Sequence, residues 1–151
     1  MGYGGSIKKL VQLQNKNMVQ QHSVSWFEIP TTDINRAQKF YETILDIEMV
    51  PMNFPSMQMR MFPVQDPMGG GISGALTHAP EFYQPQQNGV LVYLNANPDV
   101  QLVLDRIEAA GGKIVVPKTE VSPEIGYMAV FIDSEGNRVA LHSIPVGQSQ
   151  P

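Results

Sequence analysis

The side chains best suited to chemistry in this chain are few. Glu28 is flanked by Trp26 in a stretch, Val24-Ser25-Trp26-Phe27-Glu28-Ile29, that alternates and is rich in β-branched and aromatic residues. On a strand, Trp26 and Glu28 share one face, so a carboxylate able to act as a general base or hydrogen-bond acceptor lies beside an indole ring. A similar pair, Tyr93 and Asn95, occupies the stretch Val90-Leu91-Val92-Tyr93-Leu94-Asn95. Together the two pairs offer an apolar ring and a polar tip from each half of the chain, which suits a small amphipathic organic molecule. Met57, Met59 and Met61 alternate with Gln58, Arg60 and Phe62. They therefore form one strand face that either fills a core or gives a ligand cavity a soft wall. Only three histidines exist, His22, His78 and His142, and there is no cysteine. Disulfides, thiolate nucleophiles and sulfur-rich metal sites are thereby excluded, and the composition suits a reducing cytoplasm.

The elements that must position these residues recur. The run from Val24 to Pro51 returns in degenerate form as Val90 to Pro117. Asp33 and Asp99 are 99 − 33 = 66 apart, as are Pro51 and Pro117 (117 − 51 = 66). The closing segments Gly71–Leu76 and Gly136–Leu141 match at a shift of 136 − 71 = 65. Strand, helix cap, helix, strand and closing strand recur in order, the signature of an internal duplication. Thr32 or Asp33 caps a helix whose apolar face is Ile34, Ala37, Phe40, Tyr41, Ile44 and Leu45. The second helix follows Asn97-Pro98-Asp99, runs towards Ala110 and stops at Gly111-Gly112. Strands are expected at 47–52, 57–62, 72–77, 113–116, 127–133 and 138–143, the last two closed by the turn Asp133-Ser134-Glu135-Gly136-Asn137.

With 151 residues, the chain is one compact domain or two small intimate modules that share a core. The predicted organisation is a leader over 1–21, a domain over 22–144 made of modules 22–78 and 89–144, a linker over 79–88, and a tail over 145–151. The leader is expected to be flexible, to precede a true start at Met18, or to form a short docking helix. A net charge of −4 without any Lys/Arg cluster argues against nucleic acid as a partner, and no apolar run is long enough to span a membrane.

The duplicated strand–helix–three-strand order, with Arg36-Ala37 and Phe40-Tyr41 in the first helix, resembles the vicinal oxygen chelate superfamily. So do Ala109-Ala110-Gly111-Gly112-Lys113 and the turn Asp133 to Arg138. This group includes glyoxalase I, extradiol dioxygenases and bleomycin-resistance proteins. The resemblance covers about Val24 to Ile144. It implies an α+β fold of two βαβββ modules, with facing curled mixed sheets around a cleft, and a homodimer. Catalytic relatives hold a divalent metal with His, Glu or Gln from the first and last strands of each module, where it acts as a Lewis acid. Traced onto this chain, the last-strand ligand positions fall at Ala75 and Ala140, and the first-strand positions near Val24–Trp26 and Val90–Val92. Alanine has no electron pair to donate, and neither first-strand stretch holds an imidazole or a carboxylate. The resemblance therefore implies a divergent member with no metal cofactor, whose cleft binds a small organic molecule. Glu28 is the candidate catalytic residue, and Trp26, Met57, Met59, Tyr93, Asn95 and His142 are the candidate ligand contacts. Two alternatives stand beside this: a metal-dependent lyase, isomerase or dioxygenase with displaced ligands Glu28, His142 and His22, and a non-catalytic scaffold whose cleft is filled.

Overall fold

The structure is a computed structural model that describes residues 3–13, 20–66 and 68–147. Helix α1 (Tyr3–Leu13) lies in the leader and contacts no other described element. Each module then builds one helix and four strands. In the first, β1 (Phe27–Pro30) leads into α2 (Ile34–Leu45), followed by β2 (Val50–Phe54), β3 (Met57–Met61) and β4 (Gly74–His78). The second contains β5 (Tyr93–Asn95), α3 (Val100–Ile107), β6 (Lys113–Ser122), β7 (Gly126–Ile132) and β8 (Arg138–Ser143). The sheets have the same order, β1-β4-β3-β2 and β5-β8-β7-β6, with the first pair parallel and the rest antiparallel. This is the expected α+β architecture of two βαβββ modules, with one four-stranded mixed sheet per module and no closure into a barrel. No described helix is long and apolar enough to cross a membrane.

Local chemistry explains the helices. The Asp33 carboxylate accepts from the Asn35 and Arg36 N–H groups at 3.1 and 3.0 Å, and Asp99 accepts from Gln101 N–H at 2.9 Å. Of the two expected caps for α2, Asp33 is the one used. The second helix stops at Ile107 rather than running on to Ala110. Gly111 turns at φ +106°, and Gly112 N–H donates back to the Ile107 carbonyl at 2.9 Å.

Strand limits differ from expectation for reasons of partnership. Val24 to Trp26 were expected in β1 and Val90 to Val92 in β5, but the ladders begin at Phe27 and Tyr93, where β4 and β8 lie opposite. The second strand starts at Val50 instead of Ile47, because its register is set by the hairpin that pairs Phe54 with Met57, while Ile47 packs against the core. Strand β6 runs to Ser122, well beyond Val116. It is an edge strand, and register shifts between Val116 and Thr119 leave Pro117 without a ladder partner to satisfy.

The two modules share one hydrophobic cluster. Ile34, Phe40, Tyr41 and Ile44 of α2 and Val100, Leu104 and Ile107 of α3 pack with the helix-side faces of both sheets, including Ile29, Leu76, Phe131 and Leu141. Burial of each such large apolar side chain contributes about 1.5–3 kcal/mol. Neither module would keep that contribution alone.

A polar seam fixes how they meet. The fully buried Tyr41 donates its O–H to Asp133 at 2.8 Å, and Asp133 also accepts from Glu135 N–H, Asn137 N–H and the Asn137 amide. Burial pushes both the Tyr41 phenol and the Asp133 carboxyl above their usual ranges, in the second case against the pull of those donors. Glu135, its side chain shielded from water, caps the first module's helix entrance. It accepts from Thr32 N–H, Asp33 N–H and the Arg36 guanidinium at 2.7–3.1 Å. Burial pushes its carboxyl up, but Arg36, the two N–H groups and Ser134 together hold it below the usual glutamate value of 4.5. A depressed folded pKa means stability that is present above the unfolded value and lost as pH falls through the folded one. Glu135→Gln is therefore expected to reduce unfolding free energy by about 1–3 kcal/mol at neutral pH. The gap should close as pH drops below 4.5. Denaturant melts of both proteins across that range check it, and a gap independent of pH would contradict the assignment.

Candidate functional site

Parity along the ladders divides each sheet into a helix-packed face and an open face. In the first sheet Glu28 pairs with Ala75, and Ala75 with Met61; Thr77, two residues on, pairs with Pro30 and Met59. Glu28, Ala75, Thr77, Met57, Met59 and Met61 thus share the open face. In the second sheet Tyr93 pairs with Ala140, and Asn95 with His142. The structural counterpart of Glu28 is consequently Tyr93 (93 − 28 = 140 − 75 = 65), and that of Pro30 is Asn95. The sequence had suggested Trp26 with Tyr93 and Glu28 with Asn95. That pairing implies a shift of 93 − 26 = 67, two more than the ladders show; one of the two residues is taken up because Asp33 follows Glu28 by five positions while Asp99 follows Tyr93 by six. The cap spacing of 66 hides a strand spacing of 65.

Strands β1 and β5 are both edges and are not hydrogen-bonded to each other. Between and beside them lies a cleft of about 650 Å³. Trp26, Tyr93 and Asn95 all line it, together with Phe27, Phe62, Leu45 and the extended segment Val90–Val92. Trp26 and Tyr93 remain 39% and 53% exposed, so two aromatic surfaces are available at its walls. The Asn95 side chain accepts from Asn97 N–H at 3.0 Å, which orients its amide.

Glu28 faces a smaller neighbouring pocket of about 300 Å³ that shares Val90 and Val92 with the cleft. Its two oxygens accept from Trp26 Nε1–H at 3.1 Å and from the Tyr83 O–H. Neither Arg60 nor Arg138 pairs with Glu28. Arg60 lies on the helix side, donating to Gln38 at 2.7 Å, and Arg138 lines the pocket without pairing with a described carboxylate. Burial, reinforced by the Glu28 hydrogen bond, pushes the Tyr83 phenol up to about 12, so it stays a donor at neutral pH.

The other expected contacts are not gathered with these. Met59 is buried on the open face and lines no described cleft, while Met57 lines a separate recess with Phe54 and His78. His142 shares the face of Ala140, but its Nε2 is bonded to the Ile125 carbonyl at 2.8 Å. His78 Nδ1 is bonded to the Thr31 carbonyl at 3.0 Å, and His22 is exposed ahead of β1.

The positions that the resemblance implies for metal ligands carry no imidazole or carboxylate. Ala75 and Ala140 are fully buried, and Val24–Trp26 and Val90–Val92 offer no carboxylate or imidazole. Among the described residues no three His, Asp or Glu side chains converge. The donor set present does not fit a divalent cation. Tyr83 is the site residue that sequence reasoning missed. It sits in the inter-module linker, where no periodicity marks it, and only the chain's return over the first sheet brings it to Glu28.

Residues 23–141 match the Glyoxalase/Bleomycin resistance protein/Dioxygenase superfamily, and the chain belongs to that superfamily. A "Glyoxylase-like domain-containing protein" of Didymella fabae is 26% identical over 133 residues, covering 85% of this chain and 98% of that one. Among solved structures, a glyoxalase-related enzyme from Fulvimarina pelagi superposes with a TM-score of 0.59 at 16% identity, over 84% of this chain and 91% of that chain. TnmS3, an antibiotic binding protein from Streptomyces, superposes with a TM-score of 0.58 at 22% identity, over 85% and 99%. At these identities the superpositions establish the fold.

Proposed function

We infer that this protein binds a small organic molecule, with an aromatic or otherwise apolar body, in the cleft between β1 and β5, and does so without the metal used by catalytic relatives. The observation that carries this reading is the cleft itself: a concavity of ligand size with Trp26, Tyr93 and Phe62 on its walls and Asn95 as an oriented polar contact. The antibiotic-binding relative of the same fold agrees with this use of the scaffold. Glu28 serves as the hydrogen-bond acceptor at the mouth of the neighbouring pocket rather than as a metal ligand. Nucleic acid and membrane are not partners in this reading, and the cysteine-free chain acts in a reducing compartment.

Trp26 is the chain's single tryptophan, so its emission reports on the cleft directly. Titration with a panel of planar aromatic antibiotics and small keto compounds is expected to quench it saturably and to raise the melting temperature. Tyr93→Ala should then weaken binding about tenfold or more, the usual effect of removing an aromatic anchor. A panel that neither quenches nor stabilises leaves only the scaffold role.

The metal-free reading has its own check. Elemental analysis of protein purified without chelator is expected to find Zn, Fe, Mn and Ni well below one per chain; a stoichiometric ion would restore the displaced-ligand alternative. We also propose a homodimer, supported by apolar side chains left open on the strands, Phe54 at 50% and Val50 at 44% exposure. Light scattering at micromolar concentration should give twice the chain mass.

A further inference from the structure

Asn88 stands apart from the other described asparagines. Their side-chain oxygens are all engaged: Asn35 and Asn53 accept from the Arg60 guanidinium, Asn95 from Asn97 N–H, Asn97 from Ile144 N–H, and Asn137 from Gln86 N–H. Asn88 is exposed in the linker, in neither helix nor strand, and its side-chain amide bonds to no described residue. It is also the only asparagine in the chain that is followed by glycine.

That dipeptide can react with itself. The Gly89 amide nitrogen attacks Cγ of Asn88 and forms a new C–N bond. The bond from Cγ to the side-chain nitrogen breaks, and ammonia leaves with the proton of the attacking amide. Water then adds to one of the two carbonyls of the five-membered imide and reopens it, giving aspartate or isoaspartate. Folded proteins slow this closure with a bulky following residue, a fixed backbone or a hydrogen bond on the attacking N–H. None of these operates here. Gly89 has no side chain, sits at φ +127° with nothing within 4 Å of where a Cβ would lie, and is itself exposed. Its N–H donates to no described residue.

The new charge would arise in a defined place. Asn88 lines the pocket of about 300 Å³ whose titratable groups are Glu28, Tyr83 and Arg138. Glu28 already accepts from Trp26 and Tyr83, whereas Arg138 pairs with no described carboxylate. The linker is held at both ends of this stretch, by Gln86 N–H on Asn137 at 3.1 Å and by the Val92 carbonyl, which accepts from Ala140 N–H at 2.9 Å. A carboxylate formed between those anchors has Arg138 as the cation on the same lining. We propose that Asn88 is a self-modifying site, converted without an enzyme to a carboxylate that pairs with Arg138.

The test ages the full-length protein in mildly alkaline buffer and follows each asparagine by tandem mass spectrometry. Asn88 is expected to gain one mass unit, as a mixture of aspartate and isoaspartate, while Asn95 and Asn97 nearby in the chain stay unchanged. Its rate in the folded protein should lie within about threefold of that in the urea-unfolded chain, because an exposed linker needs little local opening to react. A folded rate well below the unfolded one, or reaction at Asn95 or Asn97 as fast as at Asn88, overturns the site. Asn88→Gln, whose closure would need a six-membered ring, should stop the reaction, and continued mass gain at that position overturns the route. Asn88→Asp supplies the aspartate product as a defined species and tests the pairing. Phenylglyoxal is expected to label Arg138 several-fold more slowly in Asn88→Asp than in the unaltered protein at low ionic strength, and the protection should vanish in high salt. Unchanged labelling of Arg138 refutes the pairing.

Discussion

The structure depends on a carboxylate that one module lends to the other. Asp133, at the end of β7, receives the Tyr41 hydroxyl from the middle of α2, and Glu135 receives the free N–H groups that open that helix. Neither contact belongs to a repeat unit; both exist only between units. Around them the helix-side faces of two small sheets merge into a single apolar cluster. A module of this size buries too little to stand alone, so docking and folding are one event. The seam is polar because helix starts and turn ends meet there, and backbone groups released by both must be satisfied.

That docking decides what happens at the edges. With the helix faces committed to the shared core, β1 and β5 are left as neighbouring edges that do not join, and the cleft lies in the space they leave. The resemblance to the superfamily implies that its metal-using members place His, Glu or Gln ligands in this region. Here the corresponding residues are Ala75, Ala140, Val24, Ser25, Trp26, Val90, Leu91 and Val92, with no imidazole or carboxylate among them. In the proposed reading, recognition in this region rests on aromatic contact and a few oriented acceptors. Glu28 fits that account. Its charge is answered by an indole N–H and a phenol O–H, both neutral donors that organise it without cancelling it.

Much of this was legible in the chain. The duplication, the capping aspartates, the apolar faces of both helices, and the order of the strands follow from periodicity and turn chemistry, which are local. That Met57, Met59 and Met61 share one strand face, and that His142 shares one with Ala140, also followed from strand parity. What parity could not supply was company: Met57, Met59 and His142 share faces with Ala75 and Ala140 yet line neither the cleft nor the pocket beside it. Strand limits were misjudged where β-forming sequence had no partner opposite, as at Val24–Trp26, and where an edge position tolerated Pro117.

The sequence by itself determined the repeat, the superfamily and the lack of any imidazole or carboxylate at Ala75, Ala140, Val24–Trp26 and Val90–Val92, because residue identity and spacing along the chain suffice for each. Only the tertiary structure decided that Glu28 rather than Trp26 is the counterpart of Tyr93, since that equivalence is set by which residues lie across from Ala75 and Ala140. It alone also brought Tyr83 to Glu28, 55 positions away. Contacts at that separation depend on how an aperiodic linker returns over a sheet, and nothing in local propensity encodes the path.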